Sequence, residues 1–427
     1  MNGAILREKI TAIGHERGLQ AAYNRLLQAE VALGKRVPSL AIYDHTWHMI
    51  GGGQKYGFTI AHALQEIFDI TLIANHPVTR QNILDWYHLD LFACQIKIIP
   101  LAFFAAFDTK HLDPARVTVR TENPFDVIAR ESGNYDFFIN NSMNEKVFPL
   151  ANVSALVCHF PERRPKDYFY ADRYTYTIYN SIYTAGWIEK KWKFTPHKHI
   201  YPPVDMAPTE SETNKTNQKE NIILSVARFE EGGSKKQMEM VQTFLKLKRR
   251  FPVVMKGWRL VLAGGCAQGE TNTYLGTIAD KIKKSATNDI ELLVNCSGDK
   301  LKEIYGKARL FWHLCGLDHR DPAMVEHFGM TIVEAMQNGV VPIVYDGGGQ
   351  REIVEQGVSG FRALSTAEVM NFTLTLIRDE PLWAQMSLKT KERSGLFSRE
   401  NFEKNVKEFF TAELLKYTAQ DQRDSLI

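Results

Sequence analysis

Hydrophobic and polar positions alternate along this chain in a repeating two-part pattern. Short apolar runs, SLAIYD (39–44), DITLIAN (69–75), IKIIPL (96–101), DFFINNS (136–142) and SALVCHF (154–160), read as strands. Between the first of them lie GQKYGFTIAHALQEIF (53–68) and TRQNILDWYH (79–88), whose apolar residues recur at helical spacing. Buried strands alternating with helices predict a parallel sheet with helices on both faces. The first 37 residues carry Ile5, Ile10, Ile13, Leu19, Leu26, Leu27 and Leu33 among basic residues, which predicts a helical preamble. Docked on the body it would be structural; left free it would suit a membrane surface or a partner helix.

The alternation breaks at PPVDMAPTESETNKTNQKE (202–220), polar and opened by a proline pair, which reads as an interdomain linker. It then restarts. NIILSVA (221–227), RLVLAGG (259–265), IELLVN (290–295), RLFWHL (309–314) and VVPIVYD (340–346) read as strands, with helices from about Lys236 and through TYLGTIADKIKK (273–284). The chain is therefore expected to be α/β, with two Rossmann-like, doubly wound domains facing across a cleft. The boundaries expected are 1–203 for the N-terminal domain with its preamble, 204–397 for the second domain, and 398–427 for a C-terminal helix. Ligands in such sheets bind outside the carboxyl ends of the strands.

Composition narrows the class. At 427 residues the chain fits two domains of roughly 200 residues each. The net charge of +3 makes no demand for a nucleic-acid partner. Five cysteines, at 94, 158, 266, 296 and 315, are odd in number and lack CxxC spacing, which argues against a disulfide framework or a zinc site. The charged opening MNGAILREKITAIGHERG lacks a signal-peptide pattern, and the most apolar stretch, LFACQIKIIPLAFFAAF (91–107), is interrupted by Gln95, Lys97 and Pro100. A soluble, cytoplasmic protein is expected.

Chemistry concentrates in VEHFGMTIVEAMQNG (325–339). A helix is predicted from about Met330 to Asn338, closed by Gly339. Its first N–H groups and positive dipole end would seat a phosphate, and Gly329 would let the backbone approach it closely. Glu334, one turn into the helix, could accept both hydroxyls of a ribose. Glu326, before the turn, would lie on the sugar side. A nucleoside diphosphate sugar has that order of parts, though two acids near a helix start also occur for structural reasons alone.

The pattern E-x7-E enclosing HFG, followed by IVEAMxxGxVPIV and GGxxEIV, resembles the retaining glycosyltransferases of family 4, which have the GT-B fold. ILSVARFEEGGSKKQ (223–237), YPPVD, NSIYTAGWI (180–188), FWHLCGL (311–317) and IGGGQKYG (50–57) are similar to family patterns in the family's order, over about residues 39–362. The resemblance implies that Arg228 and Lys235 pair with the donor diphosphate. Lys236 is the alternative ligand, because two lysines are adjacent. Phe328, Gly329 and Met330 would line the donor, and Gly52 and Gly53 would approach its phosphate and sugar. His159, at the end of SALVCHF, would face the transferred sugar. Two fixed cations could neutralise a leaving diphosphate without a metal or other cofactor. In the retaining mechanism the leaving phosphate oxygen helps deprotonate the incoming hydroxyl, so no dedicated base is expected. In this fold the C-terminal helix commonly crosses back to the first domain, and Phe402, Val406, Phe409, Phe410 and Leu414 would supply its apolar stripe.

Arg163 and Arg164, with Lys166, form either a solvated charge run or a seat for an anionic acceptor such as a lipid diphosphate. The expectation is a metal-independent hexosyltransferase using a UDP- or GDP-hexose and a glycan or lipid-linked acceptor. It would act in surface polysaccharide or glycoconjugate synthesis, with peripheral contact at the inner membrane face as a further option. Two alternatives are a sugar-nucleotide epimerase on the same fold and a non-catalytic partner subunit. HRD (319–321) lacks the asparagine that a kinase loop needs, since Glu326 stands in its place. KKWKFTPHKH (190–199) is basic and aromatic but short and isolated, and reads as surface.

Overall fold

The computed structural model describes residues 3–101, 123–142, 145–161, 170–206, 219–266 and 272–424, and the side chains of 18–419 within them. Arg163, Arg164 and Lys166 lie outside the described residues, as does the segment after IKIIPL. Packing divides the chain into two units. One comprises residues 1–180, 184–203 and 402–427; the other comprises 181–183 and 204–401.

Among the described residues the first unit holds seven strands: β1 (Ser39–Tyr43), β2 (Asp69–Ala74), β3 (Gln95–Ile98), β4 (Phe137–Asn140), β5 (Val153–Cys158), β6 (Tyr176–Tyr179) and β7 (Lys198–His199). They form one sheet in the order β3-β2-β1-β4-β5-β6-β7, every pairing parallel. Leu40 and Ile42 of β1 enter one hydrophobic cluster while Ala41 and Tyr43 enter another. Alternate side chains thus fill cores on both faces, which is why the central strands read as continuous apolar runs. The edge strand β3 is mostly exposed and carries Lys97, a charge that discourages further pairing.

The second unit holds β8 (Ile222–Val226), β9 (Arg259–Gly264), β10 (Ile290–Val294), β11 (Leu310–His313), β12 (Val341–Tyr345) and β13 (Phe361–Ala363), again all parallel, in the order β10-β9-β8-β11-β12-β13. Both sheets therefore reverse strand order once, between β1 and β4 and between β8 and β11. Those reversals open a crevice at the carboxyl ends, where α/β sheets hold ligands.

The ends of the expected linker are built into structure. Pro202, Pro203 and Val204 are buried, Val204 forms a bridge with Ser398, and Arg399 Nη1 pairs with Asp205 Oδ2 at 3.2 Å. Ser398–Asn401 consequently pack with the second unit, and the C-terminal helix Arg399–Asp424 joins the first from Phe402 onward. Phe402, Val406, Phe410 and Tyr417 lie within a first-unit core cluster, with Phe409 and Leu414 partly buried against it. The N-terminal helix Gly3–Ala32 docks on the same unit through Leu27 and Val31, and Gln28 Nε2 donates to Tyr417 O at 2.6 Å. No helix among the described residues is long and apolar enough to cross a membrane.

Candidate functional site

At the reversal of the second sheet, the loop after β8 and the end of β11 deliver a compact charged cluster. Lys235 precedes the helix Gln237–Arg250, whose cap residue Lys236 is left-handed, with φ 63°. Lys235 Nζ lies 2.9 Å from Glu326 Oε2, and His313 Nε2 lies 3.0 Å from the same oxygen. Burial alone would raise the Glu326 carboxyl. The Lys235 ammonium and the His313 hydrogen bond outweigh it and hold Glu326 well below the usual carboxylate range. Burial likewise lowers Lys235, but Glu326 reverses the sign, so the ammonium is more strongly protonated than usual. Burial pushes the Cys315 thiol up to about 12, and its Sγ lies 3.8 Å from Lys235 Nζ.

His313, Cys315 and Glu326 bring one ligand atom each within 4.8 Å of one another, a spacing a metal ion could bridge. The Lys235 ammonium already touches the carboxylate and the thiol there. A protein cation therefore serves this cluster, and a second cation beside it would be repelled.

Glycines set the carboxylate's position. Gly329 has φ 115°, in the left-handed region that favours glycine, and it opens the helix Met330–Gln337. The loop Gly347–Gly349 packs directly on the Glu326 segment. Gly349 N donates to Glu326 O at 2.9 Å, and a Cβ on Gly348 or Gly349 would come within 2.2 Å of the carbonyl oxygen of Glu326 or His327. Gln350 Nε2 donates to Cys315 O at 2.8 Å and ties the end of β11 to the same loop.

Glu334 lies one turn into the helix. Its Oε2 accepts the Tyr305 hydroxyl at 2.8 Å, and Tyr305 is fully buried. Phe328 is buried, with its ring 5.6 Å from that of Phe397, and Met330 is half-buried at the helix start. Arg228 does not converge on the cluster. Its side chain is 79% exposed and pairs with Glu230 at 3.0 Å, because it points outward from the loop after β8. Lys236 turns instead to Glu239, at 3.3 Å. Of the two adjacent lysines, Lys235 is the one that reaches Glu326.

The reversal of the first sheet has its own polar hub. Asp44 follows β1 and is buried; its Oδ1 accepts from Thr46 N at 2.8 Å, and its Oδ2 accepts from Asn141 Nδ2 at 2.6 Å. Asn141 Nδ2 also donates to Gly53 O at 3.0 Å, so Asp44 fixes the glycine loop through Asn141. Gly52 opens the helix Gly52–Leu64, and a Cβ on Gly53 would lie 3.4 Å from His159 Nε2. His159 is half-buried just past β5, edge-on to Tyr56 at 5.3 Å. The glycine loop and His159 thus belong to one small site in this unit.

Sequence reasoning missed Asp44, Asn141, His313, Tyr305 and the role of Gly347–Gly349. Asp44, Asn141 and His313 share one signal: a polar residue at the end of a run that reads as a buried strand. Tyr305 gave none, since a helical tyrosine is ordinarily core.

Residues 207–390 match the family model described as glycosyl transferases group 1. The chain is similar to the GDP-Man:Man(3)GlcNAc(2)-PP-Dol alpha-1,2-mannosyltransferase of Dictyostelium discoideum, 25% identical over 52% of this chain and 44% of that protein. The same-named enzyme of Xenopus laevis is 27% identical over 53% of this chain and 46% of its own length. The chain thus spans a little under half of the curated relatives it matches. Among solved structures, Anabaena HepE in complex with UDP and glucose superposes with a TM-score of 0.64 at 16% identity, over 88% of this chain and 99% of that one. The fold is GT-B, with two parallel-sheet Rossmann-like domains.

Proposed function

We propose that this protein is a retaining, metal-independent glycosyltransferase that moves a hexose from a nucleoside diphosphate sugar to a glycan or lipid-linked acceptor. One observation carries the reading: Lys235 and Glu326 form a half-buried ion pair just before a helix start, at the sheet reversal, with Glu334 one turn beyond. In this assignment Glu334 takes the ribose, the helix start and Lys235 take the diphosphate, and Glu326 takes the sugar. Arg228, exposed beside the same loop, adds a second cation once the diphosphate is bound, and Phe328 and Met330 border the donor. His159 and Gly52–Gly53 serve the sugar and acceptor side. Arg163 and Arg164 belong to the same proposal as acceptor contacts. A cytoplasmic location at a lipid surface would suit a lipid-linked acceptor. GDP-hexoses are the donors to test first, because the matched mannosyltransferases carry GDP-mannose in their names.

Thermal shift against UDP, GDP and ADP sugars tests the class, since a ligand at 100 times its Kd adds about 2.7 kcal/mol. Glu334→Ala should then weaken binding of the free nucleoside diphosphate by roughly 10- to 100-fold, the worth of hydrogen bonds to a charged group, about 1.5–3 kcal/mol. Tyr305→Phe is the control, because it removes one hydrogen bond that Glu334 accepts inside the protein and leaves the carboxylate. Unchanged affinity in Glu334→Ala, measured by titration calorimetry, would remove Glu334 from the ribose role.

A further inference from the structure

The carboxylate of Glu326 is held from one side only. Lys235 Nζ and His313 Nε2 both donate to Oε2, and no hydrogen bond from a described residue reaches Oε1. The two donors differ in kind. Lys235 is a mobile cation on a four-carbon stem. His313 ends β11, is 2% exposed, and stacks its ring parallel to that of Phe311 on the same strand.

The surroundings fix which ring nitrogen donates. Nε2 faces a carboxylate that can only accept, so it carries the proton. Nδ1 is buried without a hydrogen-bond partner. His313 is therefore a donor held rigidly in the sheet.

We propose that His313 is the positioning residue for the sugar-facing carboxylate, holding Glu326 in orientation and with Oε1 free to accept when Lys235 turns to the donor diphosphate. The inference rests on the assignment of Glu326 to the sugar. A bound diphosphate brings at least two negative charges and competes with Glu326 for the ammonium. Once Lys235 is shared, a carboxylate with no other donor would rotate or take up a proton, and a protonated carboxyl is a poorer acceptor for a sugar hydroxyl. His313 cannot follow the diphosphate, because its ring is locked in the sheet. It keeps Oε2 engaged and leaves Oε1 to the sugar. The charged and titratable groups around Glu326 are Lys235, His313 and Cys315, with Glu230 next to Lys235 and Cys315. None of the others is a donor fixed in a strand.

The test uses the full chain with His313→Phe, which keeps a ring without the donor, and His313→Gln, which keeps a side-chain N–H. Melting curves without substrate come first. At pH 7 the loss of Tm in His313→Phe should exceed the loss that the same change causes in a Glu326→Gln background, and His313→Gln should recover part of it. The excess should be full at pH 7 and shrink only as pH falls below about 4.3, towards the lower folded value. A carboxylate held below its unfolded value, about 4.3, contributes stability that is present above that pH and lost below it. With a nucleotide sugar, His313→Phe should lower kcat by about tenfold with little change in donor KM, and the acid limb of the kcat profile should move to higher pH.

An equal Tm loss in both backgrounds would make His313 a packing residue and overturn the proposal, as would a His313→Gln variant no better than His313→Phe. If the melts behave as stated and the wild type turns over no nucleotide sugar, the His313–Glu326 pairing is supported and the functional reading falls separately.

Discussion

Lys235→Ala is expected to lower kcat by about 10²–10³ while donor KM changes far less. Negative charge builds on the leaving diphosphate as the glycosidic bond breaks, so a cation held beside it gains more in the transition state than in the ground state. Removing one such stabiliser typically costs about 2.7–4 kcal/mol of barrier. The geometry separates this residue from Arg228. Lys235 is largely buried and kept protonated by Glu326, whereas Arg228 is exposed and paired with Glu230. Arg228→Ala should therefore cost less, because exposed pairs are screened and weakly ordered. Lys236→Ala should cost least, since its ammonium is committed to Glu239. Steady-state kinetics with and without EDTA checks the ranking and the metal-free proposal together. A wild type silenced by EDTA would overturn the metal-free proposal; a Lys235→Ala variant with unchanged kcat would remove Lys235 from the leaving-group role.

Much of the fold was written in apolar runs. Strands β1, β2, β4, β5 and the central strands of the second sheet are buried on both faces, so periodicity alone located them. β6, β7 and β13 escaped, because YTIY, KH and FRA are too short or too polar to stand out from loops. The expected linker was legible as a polar stretch, yet its proline-led opening is packed against Ser398–Arg399, a contact that no local signal could announce. Ser181–Tyr183 group with the second unit for a similar reason: Ser181 Oγ donates to His327 O at 2.6 Å, and the N–H groups of Ile182 and Tyr183 donate to Glu352.

The candidate site divides in the same way. Glu326, Gly329 and Glu334 could be proposed from spacing around a helix start. That Lys235, rather than Lys236, meets Glu326 depends on the left-handed turn at Lys236, which sends adjacent side chains in different directions. His313 could be recognised only once β11 and the Glu326 loop were side by side. Asp44 and Asn141, 97 residues apart, likewise meet only at the sheet reversal.

The largest effect on stability is expected in the first unit, from Asp136→Ala. Asp136 precedes β4, and its side chain is fully buried. Its carboxylate accepts from Arg36 Nη1 at 2.6 Å and Nη2 at 2.7 Å, from Ser39 N at 2.8 Å and Oγ at 2.9 Å, and from Tyr417 Oη at 2.7 Å. Two distant pieces of chain, residues 36–39 and the C-terminal helix, thus converge on one anion. Burial pushes this carboxyl up, but Arg36, Ser39 and Tyr417 outweigh it and hold it below its ordinary value. Removing the anion strands the Arg36 charge and the Tyr417 hydroxyl, and breaking such a buried pair costs about 3–5 kcal/mol. Asp136→Asn should lose less, since it keeps the shape and one acceptor. The sign of the pH dependence follows from the depressed value. The stabilisation is complete above the unfolded pKa, about 3.9, and is lost as pH falls through the lower folded value. The gap between wild type and Asp136→Asn should therefore be full at pH 7 and close in acid. Two units need not melt together, so calorimetry should be run with and without the nucleotide proposed to bind the second. A loss under about 1 kcal/mol, or a gap independent of pH, would show that Asp136 does not anchor the C-terminal helix through its charge.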